Sequence, residues 1–581
     1  MKKLKELIQS ISDHPFKNIQ KLTGNFQFPL FCFNFIKIQG SPGANPASIA
    51  TVKVTLADSE LPGKFLDSSV SRLAVADFLI RRFNQGIAKY ARQNRGKDGS
   101  GSFHTIEFGQ KMLKRDSVLF SEQAIELRFI FSLPAKGSGG GRFDAEQAWL
   151  MFEQELTVIV EYALYYKAYD QASKKLLQQY LDIQYNRQYI KHFMEQNSLC
   201  VFINNGARLP RISGVDDRPV LGADIISFQS PALTQIEIPL SSGNIILGMA
   251  IKEGITCITG GGYHGKSTLL QAILSGVYAH IPGDGREYIV TREDAVFIRA
   301  EEGRSIRNVN ISPFISQLPN GVSTEQFSSD NASGSTSQAA SIIESIESGS
   351  RFLLFDEDTC ATNLLFRDEL IKKVVDPANE PITPLYSTVR SIWKQHGVSM
   401  IFVVGGLGSF LQKADTCLLM DNYQCMDITN KVREVLGNVA EETPVRFSFD
   451  VRRYLSTDNF APSYINNRLK KQLSKRIKNL RNAPRQLEYG MDLINLEALP
   501  QIVEAPQLLS VGYCLLILHQ EMQKQENEAQ TIEYWLQWLY KKLDQQGLSF
   551  LQPDYPGTLS LPRKYELAAA INRTRSLKIL T

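Results

Sequence analysis

The chain has 581 residues, 43% of them hydrophobic and 21% charged, with 64 Lys and Arg against 60 Asp and Glu. At roughly 100–200 residues per domain that length allows three to five domains with sizeable cores, and the composition excludes a wholly disordered or fibrous chain. The net charge of +4 is too small to name a partner.

No apolar run approaches the roughly 18 residues that span a bilayer, and the longest, Leu508–Leu518, contains Gly512 and Tyr513. The basic start Met1-Lys2-Lys3-Leu4-Lys5 is followed by Glu6 and Asp13, which interrupt any signal-peptide core. Seven scattered cysteines, odd in number and without C-x-x-C spacing, argue for a reducing compartment and against a structural zinc site. A cytoplasmic protein without a membrane domain is expected.

Residues 1–165 form the first expected domain, of α+β type. Phe28–Ile38 and Ile49–Leu56 read as strands, Ser71–Phe83 as a helix, and Asp144–Gln179 as a long helical stretch that closes this part. Two basic, glycine-rich loops, Arg92–Ser102 and Lys136–Arg142, are either solvated connections or segments that approach a phosphate backbone closely.

Residues 166–445 alternate strand-like and helix-like segments. Ile255–Thr259, Phe352–Phe355 and Met400–Val404 are short apolar strand patterns, each followed by polar or glycine-rich residues. This predicts an α/β sheet with its ligand at the carboxyl ends of the strands. Gly260-Gly261-Gly262-Tyr263-His264-Gly265-Lys266-Ser267 fits G-x-x-x-x-G-K-S, with an apolar strand before it and a helix pattern, Ser267–Gly276, after it. Glycines let backbone N–H groups wrap phosphates, and the helix start adds positive potential. Lys266 can then reach the β- and γ-phosphates, and Ser267 can ligate magnesium. The expected nucleotide-binding set is therefore Gly260, Gly261, Gly262, Tyr263, His264, Gly265, Lys266, Ser267 and Thr268.

Further along, Arg351-Phe352-Leu353-Leu354-Phe355-Asp356-Glu357 reads as a buried strand ending in two carboxylates. Asp356 is expected to hold magnesium, and Glu357 to orient or deprotonate an attacking water. Between these motifs, Ser333-Gly334-Ser335 opens the helix pattern Ala339–Glu347, as either an ordinary helix cap or an anion site.

The order of P-loop, Ser-Gly helix start and Asp-Glu strand resembles an ATP-binding-cassette ATPase. In that family the first glycine of the L-S-G-G-Q signature stands 22 residues before the strand aspartate, as Gly334 does before Asp356. Asp358–Asn363 resembles the loop that crosses the family's dimer interface. The resemblance implies a head-to-tail dimer with ATP held between one P-loop and the partner's Ser333, Gly334 and Ser335. It makes Gln317 the candidate magnesium-side lid glutamine. It puts Gly405 where a switch histidine should stand, which implies slow turnover. Phe228 and Tyr263 are the candidates for adenine stacking.

The resemblance narrows to soluble ABC-class ATPases through Gly261–Leu270, Ile281–Glu287, Ala332–Gln338, Asp356–Asn363, Glu380–Pro384, Leu209–Gly214 and Ala568–Arg575. That family resembles a trypanosomal mitochondrial RNA-binding ATPase, with an N-terminal domain, a cassette core and a C-terminal domain.

Residues 446–581 read as mainly helical. Arg446–Arg485 holds 11 Lys and Arg against 2 Asp and Glu. A helix over Ser463–Arg481 would put Ile465, Leu469, Leu473, Ile477 and Leu480 on one face and Arg468, Lys471, Lys475 and Lys478 on the other. Such a ridge suits a phosphate backbone, with Tyr454, Phe460 and Tyr464 free to stack on unpaired bases. A solvated face, an acidic protein or a membrane surface are the other readings.

The expectation is an α/β chain with an ABC-type P-loop core. It would hydrolyse ATP with magnesium as a homodimer, through Lys266 and Glu357, and couple this to RNA or single-stranded nucleic acid. The alternative is an ATP-gated scaffold with weak hydrolysis and protein partners.

Overall fold

The structure is a computed structural model. It describes the chain except residues 13, 42–46, 93–94, 96–99, 137–140, 223, 242, 369–373, 375–379, 438–446, 448–451, 463–476, 481–482, 525–528, 553–556 and 581. The chain divides into two compact units, Met1–Tyr185 with Gln546–Leu561, and Asn186–Gln545 with Pro562–Thr581.

In the first unit the antiparallel strands Cys32–Lys37, Ser48–Thr55 and Ala124–Ser132 lie side by side at the centre of a sheet. Alternation puts Phe33, Phe35, Phe129 and Phe131 on the buried side, where Phe35 and Phe131 meet Phe152 from the helical region. The helix expected over Ser71–Phe83 runs from Ser69 to Tyr90, started by a Ser68–Ser71 capping box. The long helical stretch expected over Asp144–Gln179 is broken. Tyr165 is extended at φ −102° and ψ 103°, and the Asp170 carboxylate accepts the Ser173 N–H at 2.8 Å, where the helix Gln171–Gln196 begins. Of the two glycine loops, residues 93–94, 96–99 and 137–140 lie outside the described residues. Arg95 pairs with Glu155 and donates to the Gly101 carbonyl at 3.1 Å, so its guanidinium is already engaged. The segment Gln546–Leu561 belongs to this unit through buried Asp116, whose carboxylate accepts the Leu559 N–H at 2.8 Å and the Gly557 N–H at 3.1 Å. Burial pushes the Asp116 carboxyl up to about 6.

The second unit is built on a six-stranded sheet. Its strands are β1 (Ile255–Thr259), β2 (Ala295–Ile298), β3 (Phe352–Asp356), β4 (Ser399–Val403), β5 (Thr416–Asp421) and β6 (Gln424–Asp427), in the order β2-β3-β4-β1-β5-β6. All neighbours are parallel except the β5–β6 hairpin. Parallel strands covered on both faces read as unbroken apolar runs, and β3 and β4 are buried along their whole length. Helices α1 (Lys266–Ser275) and α2 (Gly334–Glu347) follow the P-loop and the Ser-Gly turn. A four-stranded antiparallel sheet includes Leu199–Asn204 and Ile245–Lys252.

The last part of the chain is less helical than expected. Helices Ala505–Met522, Ile532–Gln546 and Lys564–Arg573 are present, but two three-stranded sheets occur beside them. Arg468, Lys471 and Lys475 lie outside the described residues. Lys478 stands on a strand, Ile477–Leu480, where a helix was expected. Pro484 disfavours helix just beyond it, and pairing with Ala483–Tyr489 satisfies the backbone instead. Phe460 is buried, so it is not a stacking platform, whereas Tyr454 is exposed and Tyr464 lies outside the described residues. None of the described helices is long and apolar enough to cross a membrane.

Candidate nucleotide site

The carboxyl ends of β1, β3 and β4 converge, and each carries one part of the site. After β1 the chain turns sharply at Gly260, with φ 140°. A Cβ there would collide with the Met420 carbonyl of β5, so only glycine fits. Gly265, at φ 100°, caps α1, and the buried face of α1, with Leu269, Leu270 and Ile273, fixes the helix against the core. Lys266 is thereby the first residue of α1. Its Nζ donates to the Gly260 and Gly261 carbonyls, both at 2.7 Å. Ser267 and Thr268 follow, Ser267 exposed and Thr268 half-buried.

The loop is also tied to the β5–β6 turn. His264 Nδ1 lies 3.0 Å from Asn422 N and 2.9 Å from Asp421 Oδ1. Tyr263 and Tyr423 both hold left-handed backbone, at φ 64° and φ 66°, which bulky residues seldom adopt. They are 98% and 57% exposed. Phe228 is 2% exposed and is therefore not available to stack on a base, contrary to expectation.

Asp356 ends β3 and is 8% exposed. Burial raises its carboxyl above the usual range, while the Lys266 ammonium is close enough to pull it down. A hydroxyl from Ser267 and a carboxylate from Asp356 are hard oxygen donors. They suit magnesium, which takes one or two protein ligands and completes its shell with phosphate and water. Glu357 is held differently. Its Oε2 accepts the N–H groups of Gly405 at 2.7 Å, Gly406 at 3.0 Å and Leu407 at 3.4 Å, beyond the end of β4.

Ser333 caps α2, and its hydroxyl gathers with those of Thr336 at 2.9 Å and Ser335 at 3.3 Å. The Gly334 N–H, at the positive end of this 14-residue helix, donates to Glu302 at 2.9 Å. Neighbouring residues hold Glu302 there. Glu301 N donates to Ser337 Oγ at 2.9 Å, Gly303 N donates to the Ala332 carbonyl at 3.0 Å, and Arg573 pairs with Glu301. Buried Gln338 accepts the Ala361 N–H at 2.7 Å, joining α2 to the segment after Glu357.

Gln317 stands apart from these groups. It is exposed, with left-handed backbone at φ 53°, and no hydrogen bond joins it to Asp356 or Ser267 among the described residues. The strand beside β3 is β2, with Ile298 opposite Phe355, so Arg299–Glu302 leave the sheet next to Asp356. Sequence reasoning missed Glu302 and the Gly405–Leu407 amides. Only the Glu-Glu-Gly run before Arg304 hints at the first, and backbone donors leave no sequence signal for the second.

Three family models match the chain. Residues 1–167 match the N-terminal domain of ATPases of the ABC class, residues 173–451 the ABC ATPase P-loop domain, and residues 480–580 the MRB1590 C-terminal domain. An uncharacterized protein of Methanocaldococcus jannaschii is 30% identical over 279 residues, which is 45% of this chain and 59% of that protein, so the chain spans under two thirds of that relative. Among solved structures, cbiO1 of Clostridium perfringens, part of an ABC transporter complex, is 13% identical with TM-score 0.24, covering 41% of this chain and 92% of that one. A bacterial Atm1-family ABC exporter with ATP bound is 16% identical with TM-score 0.24, covering 41% of this chain and 40% of that one.

Proposed function

The chain belongs to the ABC-class ATPase family, and from that premise we propose that it hydrolyses ATP with magnesium as a head-to-tail homodimer and couples this to RNA binding. The observation that supports the hydrolase reading is that the loop leading to Lys266, and Asp356 with Glu357, follow strands of one parallel sheet at its carboxyl edge. Ser267 and Asp356 would hold magnesium, which would neutralise phosphate charge. Lys266 would leave its loop carbonyls for the β- and γ-phosphates. Glu357 would take a proton from water as the water oxygen bonds to the γ-phosphorus, and ADP would leave with the electron pair of the broken phosphorus–oxygen bond.

In the dimer reading the partner's α2 start closes over the γ-phosphate. The Gly334 N–H must then exchange Glu302 for phosphate. Glu302→Ala removes that internal competitor. We expect the ATP concentration for half-maximal dimerisation to fall by about three- to tenfold, the worth of one net hydrogen bond. Sedimentation velocity across an ATP series reads this, and an unchanged or higher midpoint would count against the exchange.

The nucleic-acid half rests on the basic run Arg446–Arg485 and the MRB1590 C-terminal domain match. Not every charge in that run faces outward, since buried Arg453 pairs with Glu347 of α2. Reversing Arg468, Lys471, Lys475 and Lys478 to Glu tests the rest. Each lost single-strand phosphate contact should lower the salt slope by roughly 0.7, so three contacts lower it by about two and weaken binding at least tenfold at moderate salt. Equal affinities and slopes for a folded variant would make the run a solvated face. Gly405 in place of a switch histidine favours the second reading, an ATP-gated scaffold with weak hydrolysis. Turnover measured with and without RNA separates the two.

A further inference from the structure

We propose that the backbone amides of Gly405, Gly406 and Leu407 position Glu357 for catalysis, with three N–H groups on one carboxylate oxygen. The inference rests on the hydrolase reading above.

The sheet register brings the two segments together. Asp356 of β3 is level with Val403 of β4, so Glu357 and Gly405 leave neighbouring strands side by side. All three donors converge on one oxygen, Oε2. Consecutive backbone N–H groups aimed at one anion form a nest, and their bonds to a carboxylate are charge-assisted. The other oxygen, Oε1, takes none of these bonds and would remain to accept the proton of a water. A Cβ on Gly406 would lie 3.3 Å from Oε1, so a side chain there would crowd the carboxylate. A histidine offers at most two N–H groups and offers them by tautomer and charge. Amides offer theirs unconditionally, so the grip on Glu357 does not depend on the protonation of the loop. The loop Val404-Gly405-Gly406-Leu407 needs no polar side chain for this.

The test compares variants that delete one N–H with one that keeps it. Gly405→Pro and Gly406→Pro each remove a donor, and Gly405→Ala adds a methyl group but retains the amide. With full-length protein and saturating magnesium, each proline variant should lose about tenfold or more in kcat through misplacement of the base, with KM for ATP within about twofold of the parent. Gly405→Ala should lose clearly less than Gly405→Pro. Because the amides act through the carboxylate, Gly405→Pro added to Glu357→Gln should lower the residual turnover no further. If Gly405→Pro fails to fold by circular dichroism, Gly406→Pro is compared with Gly406→Ala, which brings the same Cβ beside Oε1 and keeps the amide.

Three results would overturn the proposal while hydrolysis stands: parental kcat in a folded proline variant, equal losses for Gly405→Ala and Gly405→Pro, or a further fall in the Glu357→Gln background. A parent that binds ATP without turning it over would overturn the hydrolase reading and this inference together.

Discussion

Lys266→Ala is expected to abolish ATP binding and leave the fold in place. Among the described residues the ammonium makes its hydrogen bonds to the Gly260 and Gly261 carbonyls of the loop. The burial that holds α1 comes from Leu269, Leu270, Ala272, Ile273 and Leu274, which the substitution does not touch. Lys266 is half-buried and its charge offsets that of Asp356, so a loss of about 1 kcal/mol, the usual size for a point mutation, is expected while the fold stands. ATP would lose charge-assisted bonds to two phosphates. At about 1.5–3 kcal/mol each these correspond to a loss of roughly a hundredfold or more in affinity. Arginine is not an equivalent replacement, because a planar guanidinium does not fit a cradle that closes on a point charge. Titration calorimetry with magnesium and ATP, beside a thermal melt, gives both halves of the result. Tight binding by folded Lys266→Ala protein would remove the P-loop from the account.

Glu357→Gln should bind ATP and magnesium as the parent does and lose turnover by about a hundred- to ten-thousandfold, the range a general base contributes. The amide oxygen can still accept from the Gly405–Leu407 N–H groups, so the loop is expected to stay in place. What the glutamine cannot do is accept the water's proton. Nucleotide affinity and single-turnover hydrolysis, measured on the same preparation, separate binding from chemistry. Turnover near the parental rate would move the base to another residue.

The parts of the site carried by local pattern were legible from the residues. The strand Ile255–Thr259 is found where expected, since an apolar run before three glycines has few other readings. Phe352–Phe355 and Met400–Val404 fall within one residue of β3 and β4 for the same reason. The parts set by long-range approach were not legible. Nothing near Gly405 announces that three backbone amides will meet a carboxylate 48 residues earlier in the chain. Glu302 reaches Gly334 only because Arg299–Glu302 leave β2 beside the start of α2. The helix expected through Lys478 failed where pattern competed with pairing. Ile477 and Leu480 suit a helical stripe, but Pro484 stops a helix and the strand Ala483–Tyr489 supplies partners. Phe228, a candidate for adenine stacking, is held in the interior by backbone bonds to Gly206 and Ala207, which its sequence neighbours do not announce.

The central claim is that ATP closes two copies head to tail, each nucleotide lying between one Lys266 loop and the partner copy's α2 start. The most direct measurement is the mass of Glu357→Gln protein by sedimentation equilibrium in magnesium with saturating ATP, then with ADP. Because this variant holds ATP without consuming it, the account predicts a dimer in ATP and a shift towards monomer in ADP, and adding Ser333→Arg at the α2 start should return the ATP sample to monomer. A Glu357→Gln protein that binds ATP yet stays strictly monomeric, or one whose dimer is indifferent to nucleotide and to Ser333→Arg, would contradict it.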